Sequence, residues 1–291
     1  MEPCGASRST AVSELHPDLA DPAAEPVFEA APDRVFDPAS DPGFAERHGV
    51  LTRGYGHRPD PEDPAKVQAM PIVLHIPKVD PPARSAVLEA AATATVALCF
   101  DPRVGPGPDG EPGPWQEPFL AWNDARIRKV ARRARGAHWR AAQDVDGVTV
   151  DHAGAQARAF VPGPVGELDP RISRLQIGGT DLPHDDPPSP ADDVPILWVQ
   201  KDLEMTVGKA AAQVGHAAML FAGALDVDTA RAWATDGFPC AVRDADEDTW
   251  RELLARVEAG TAVAVRDAGF TEVAPGSITV IAVPGTVSGR A

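Results

Sequence analysis

The stretch Asp202-Leu-Glu-Met-Thr-Val-Gly-Lys-Ala-Ala-Ala-Gln-Val-Gly-His-Ala217 decides how the C-terminal third of the chain is read. It follows Ile196-Leu-Trp-Val199, an apolar run of the length of a buried strand, so the unit is strand, tight loop, helix. Thr206 stands where a helix N-cap belongs, and the Ala-rich pattern carries the helix to about Leu225. Val207, Ala211, Val214, Ala218 and Phe221 share one helical face, while Lys209, Gln213 and His216 fall on another. A helix this rich in alanine packs close to its sheet, so a polar triplet on it points to more than a solvated face. Its first turn is expected to offer N–H groups and a positive dipole end to an anion.

A second stretch belongs with it: Val265-Arg-Asp-Ala-Gly-Phe-Thr-Glu-Val-Ala-Pro-Gly-Ser-Ile-Thr-Val280. A strand over 262–266 enters a Gly/Pro loop and leaves through a strand over 278–283. Together the two stretches resemble the second type of peptidyl-tRNA hydrolase, with its signatures D-L-x-M-x-x-G-K-x-A-A-Q-x-x-H-A and D-A-G-x-T-x-x-x-P-G-x-x-T. The resemblance spans roughly residues 194–284. It implies a four-stranded mixed sheet flanked by helices, and hydrolysis of the ester between peptide and tRNA. Asp267 and Thr271 then match the family's proposed active site, with Lys209 as a fixed positive charge at the oxyanion. Gln213, His216 and Thr279 also match the motifs and are expected on the substrate-binding side of the same pocket, His216 in either a structural or a substrate-contact role. Phe270 stands where the family carries a basic or polar residue, so one contact to nucleic acid is expected to be missing. No metal and no cofactor is implied, and the resemblance leaves room for a homodimer.

The remainder of the chain is read without that help. Residues 1–69 repeat Asp-Pro and Glu-Pro steps, which block helix at the residue before each proline, and a disordered acidic tail is expected. A small α/β domain is expected over 70–182: a strand at 72–76, a helix over 83–100, strands at 148–150 and 157–161, and a further strand at 172–177. Between them, a long helix over 118–143 is expected, with seven Lys/Arg from Arg126 to Arg140 and no acid. Residues 183–195, dense in proline and acid, read as a linker to the 196–291 domain. The fold class is α/β: a C-terminal three-layer α/β/α domain behind a smaller α/β domain and a tail.

Composition narrows the function. A net charge of −16 opposes indiscriminate nucleic-acid binding, and three scattered cysteines oppose a disulfide-stapled secreted fold. No apolar run approaches a membrane span, so a cytoplasmic protein is expected. Few lysines beside many Ala, Arg, Pro and Asp suggest a high-GC genome and a bacterial source. Residues 192–291 hold eight Lys/Arg against fifteen Asp/Glu, so the hydrolase part supplies no positive surface for tRNA. The Arg-rich helix is expected to supply it, through Arg128, Arg132 and Arg135. Asp244, Asp246 and Asp248 imitate a calcium loop but lack its glycine and final glutamate, and read as helix initiation. Two other readings stay open: a tRNA-binding module without catalysis, and a hydrolase of another ester or amide.

Overall fold

A computed structural model describes residues 37–107, 110–269 and 272–285. In chain order the elements are α1 (Phe44–Thr52), β1 (Gln68–His75), α2 (Arg84–Phe100), α3 (Gln116–Asp124), β2 (Arg128–Ala134), α4 (Gly136–Gln143), β3 (Gly147–His152), β4 (Ala155–Phe160), β5 (Gly163–Pro164) and α5 (Pro170–Ser173). The second half adds β6 (Ile196–Gln200), α6 (Val207–Ala224), α7 (Val227–Thr235), β7 (Ala241–Ala245), α8 (Glu247–Glu258), β8 (Val263–Arg266) and β9 (Ile278–Val283). They form two mixed sheets of order β2-β1-β4-β3, with the short β5 on β1, and β7-β6-β9-β8. The four-stranded mixed sheet expected of the C-terminal part is therefore present.

The central helices α2 and α6 lie against each other between the sheets, and one apolar core runs through both halves. Alanine makes this approach close. Ala90, Ala91 and Ala94 of α2 and Ala210, Ala211, Ala217 and Ala218 of α6 are all fully buried. Thr206 caps α6 as its sequence suggests, its side chain accepting from the Lys209 N–H at 3.2 Å.

Three expectations are corrected. The chain from residue 37 onward is not a disordered tail; residues 1–36 lie outside the described ones. Phe44 of α1 is fully buried and stacks on Phe100 at 4.6 Å. His48 Nε2 lies 3.2 Å from the Ala222 carbonyl and 3.0 Å from that of Leu225, tying α1 to the last turn of α6. The Asp-Pro step at Asp63 is a capped turn, with the Asp63 carboxylate accepting from Ala65 N–H, which is why prolines here do not signal disorder.

Nor is 118–143 one helix. α3 stops at Asp124, Ile127 takes a left-handed backbone (φ 47°), and β2 then pairs with β1 in parallel over seven residues. Lys129 is buried with Ile127 and Ala131, so the alternation of a strand is present but is hidden by a charged residue on its inner face. The strand expected at 172–177 is instead the short helix α5, capped by Asp169 with Pro170 at its first position, a start signal that the apolar residues masked.

Candidate active site

The strand β6 delivers α6 with Lys209, Gln213 and His216 facing the end of β8, where Asp267 begins the loop to β9. Lys209 Nζ donates to Asp267 Oδ2 at 2.6 Å, and Gln213 Nε2 donates to the same oxygen at 2.9 Å. The other oxygen, Oδ1, accepts the Gly269 N–H at 2.7 Å. The backbone of Asp267 is closed into the loop as well: its N–H donates to Ser277 O and its carbonyl accepts from Gly276 N–H. Lys209 and Asp267 are about one-tenth exposed, so their pair is sheltered but reachable.

Thr279 corrects its expected role. It is fully buried behind Gln213, where its hydroxyl donates to Gln213 Oε1 at 2.5 Å and cannot meet a substrate. That bond fixes which way the amide points. With Oε1 occupied by a donor, the NH₂ end faces the carboxylate. Gln213, itself buried, is thus a holder of Asp267. Thr271 and Phe270 lie outside the described residues.

The first turn of α6 is also not the open anion site expected. Thr206 N–H and hydroxyl donate to the Glu272 carboxylate, and Gly208 N–H donates to Thr180 Oγ1. Both partners were invisible as caps in the sequence, since each comes from a distant loop.

A cavity of about 520 Å³ opens over the Lys209–Asp267 pair. Its second wall comes from the N-terminal half: Tyr55, Ile127, Arg128, Lys129 and Ile177. Lys129, read in the sequence as part of the exposed basic face of the expected helix, is instead an inward residue of β2. It is buried with Nζ 3.1 Å from His216 Nδ1, 3.0 Å from Met219 Sδ and over the Trp122 ring. Burial pulls its pKa down to about 7, and burial again, with Lys129 and Lys209 adding to it, holds His216 well below the usual histidine range. His216 is therefore a neutral ring.

Of the three arginines expected to hold tRNA, only Arg128 reaches this cavity. It forms a two-pronged pair with Asp60, at 2.6 and 2.7 Å, which holds the Asp60 carboxyl below its usual range. Arg132 donates to the carbonyls of Ser173 and Leu175, so it stitches β2 to the α5 loop. Arg135 lies at the far end of β2 and is exposed. Among the described residues, no group of His, Cys, Asp or Glu is placed to hold a metal, and no helix is long and apolar enough to cross a membrane.

Comparison with known proteins places this geometry. The family model for peptidyl-tRNA hydrolase PTH2 matches residues 194–288. The peptidyl-tRNA hydrolase of Thermococcus onnurineus is 37% identical over 94 residues, covering 30% of this chain and 80% of that protein. The chain belongs to the peptidyl-tRNA hydrolase PTH2 family. Other relatives are the probable peptidyl-tRNA hydrolase 2 of Schizosaccharomyces pombe (39% over 100 residues, 32% of this chain and 49% of that one) and the mitochondrial peptidyl-tRNA hydrolase 2 of Bos taurus (40% over 94 residues, 30% and 52%). The chain spans about half the length of these two. These relatives are eukaryotic and archaeal, so they do not support the bacterial source suggested by composition. Lys209, Gln213 and Asp267 all fall inside the matched region, whereas Lys129 and the rest of the second wall fall outside it.

Proposed function

We propose that this chain hydrolyses the ester between a peptide and tRNA. The observation that carries the reading is the convergence of Lys209 and Gln213 on one carboxylate oxygen of Asp267 at the wall of a cavity, in a chain of this family. A carboxylate has about four acceptor positions, and among the described residues three are filled, which leaves one on Oδ1 for a water. Asp267 takes a proton from that water as its oxygen bonds to the ester carbonyl carbon. The Lys209 ammonium offsets the negative charge on the carbonyl oxygen. The carbon–oxygen bond to the ribose then breaks, and the proton leaves with the ribose oxygen. Thr271 is proposed to help hold the water, as the family motif implies.

The test is a rate comparison on peptidyl-tRNA, aminoacyl-tRNA and a simple ester. Peptidyl-tRNA should be cleaved fastest, and Asp267→Asn should lower its turnover by roughly 10²-fold or more with the fold intact. Equal rates on all three substrates would favour another ester as the natural one, and near-normal turnover in the variant would remove Asp267 from the chemistry. The charge and composition support a cytoplasmic location, which fractionation of the tagged chain checks against the mitochondrial names among its relatives.

The RNA backbone docks at a second cavity, of about 280 Å³, lined by Arg133, Arg135, His138 and Arg174. None of its lining residues is acidic, in a chain of net charge −16. Such a local positive surface is what phosphates need. Changing Arg135, His138 and Arg174 together to Gln should weaken tRNA binding and lower its salt slope by about two. The rate on a short ester should stay unchanged. Equal affinity and slope in the triple variant would leave these residues as a solvated face.

A further inference from the structure

The two sheets share one plan. β1 pairs in parallel with β2 and antiparallel with β4, which pairs antiparallel with β3. β6 does the same with β7, β9 and β8. In each half a long Ala-rich helix follows the first strand (α2, α6), a shorter one precedes the second (α3, α7) and another follows it (α4, α8). Unusual backbone recurs at matching points. Asp80 (φ 48°) lies shortly before α2 and Glu204 (φ 44°) shortly before α6, both left-handed without being glycine. At the end of the third strand come His152-Ala153-Gly154 in one half, His152 closing β3, and Asp267-Ala268-Gly269 in the other, just past β8, with the glycines at φ 79° and 77°. Left-handed non-glycine residues are uncommon, so general α/β layering does not demand this agreement.

We infer that residues 68–160 are a second, diverged copy of the unit at 196–283, and that the chain is an internal dimer with one live site. The contacts between the halves are reciprocal, as a two-fold relation requires. α2 lies on α6; β2 reaches α6 through Lys129 and His216; β7 reaches α2 through Val242 and Arg243, which donate to Glu89 Oε1 at 2.9 and 3.0 Å. The places of Lys209, Gln213 and Asp267 are taken in the first copy by Ser85, Glu89 and His152. Ser85 and Glu89 keep the four-residue spacing on the helix, and Glu89 Oε2 lies 3.0 Å from His152 Nε2, as Gln213 lies beside Asp267.

The chemistry, however, has been dismantled. No lysine stands on the helix, and both Glu89 oxygens are occupied, one by His152 and the other by β7 of the second copy. Ser85 donates its hydroxyl to Asp185 at 2.5 Å, and its N–H donates to the same carboxylate. The old site has become the joint between halves. In exchange, the first copy supplies the second wall of the live cavity, through Ile127, Arg128 and Lys129.

The test uses the full chain. A non-cleavable, amide-linked peptidyl analogue of the tRNA 3′ end should bind once per chain in a calorimetric titration; two bound per chain would overturn the inference. Ser85→Ala and His152→Ala should keep kcat and KM within about twofold, and a loss of roughly tenfold in either folded variant would show the first copy to be catalytic. One arm needs no substrate. Glu89→Gln leaves the Arg243 and His152 donors without a carboxylate, so Tm should fall by roughly 3–8 °C, and an unchanged Tm would remove the joint. If the wild type does not cleave peptidyl-tRNA, the proposed activity falls, while the Glu89 arm still decides this inference.

Discussion

Asp267 owes its position to a chain of three side chains rather than to its own loop alone. Thr279 orients Gln213, and Gln213 with Lys209 holds the carboxylate. Thr279→Val keeps the shape of the buried side chain but removes the hydroxyl, leaving Gln213 Oε1 without its donor. Such a loss costs about 1–3 kcal/mol and frees the amide to turn. We expect a loss of roughly tenfold or more in kcat, with KM little changed, because the substrate never meets Thr279. Steady-state kinetics on peptidyl-tRNA check this, and a change confined to KM would return Thr279 to the substrate-contact role. The motif made Lys209, Gln213 and Asp267 legible, since spacing on a helix and a strand-end carboxylate are local features. The order of the relay was not legible, because it depends on which residue β9 buries behind α6.

At the level of elements, helices with strong local signals were legible and charged inner strands were not. Thr206 and Asp246 announced α6 and α8, and both cap as expected. α1 was lost among Asp-Pro steps because its stability comes from tertiary packing, which no local pattern reports. Its docking makes a sharp prediction at Gly223. An alanine inside a helix usually stabilises relative to glycine by about 0.5–1 kcal/mol. Here a Cβ on Gly223 would lie 2.8 Å from the Leu51 carbonyl oxygen and 2.9 Å from its carbon. Backbone cannot swing aside as a side chain does, so α1 must shift. Gly223→Ala should therefore destabilise, by roughly 1–3 kcal/mol, reversing the usual sign. Chemical denaturation measures it, and a stabilised variant would mean that α1 does not sit on α6.

Across the whole molecule, the family match is confined to residues 194–288, because the first copy keeps the topology but almost none of the motif residues. Only paired strands and recurring backbone reveal it, and neither is written in composition or period. The joint between the halves carries its own pH signature. Lys129 is buried with His216 and the Cys99 thiol facing it, Cys99 being pushed up to about 12, and with Lys209 beyond His216. Its folded pKa of about 7 lies below the ~10.4 of an unfolded lysine, so between these values the unfolded chain binds more protons. Stability must then rise with pH from about 7 to ~10.4 through this group, and the penalty is full below 7. His216 acts at lower pH in the same sense: its depressed pKa removes stability as pH falls below ~6.5. Lys129→Met places an apolar chain beside Met219 and the Trp122 ring and removes the first contribution. We expect a Tm higher by roughly 3–8 °C near neutral pH and a flatter stability curve up to pH ~10, with the His216 fall in acid retained. Thermal unfolding across that pH range measures both. A variant whose curve keeps the wild-type slope would mean that Lys129 stays solvated through the cavity, and that the two halves do not close over it.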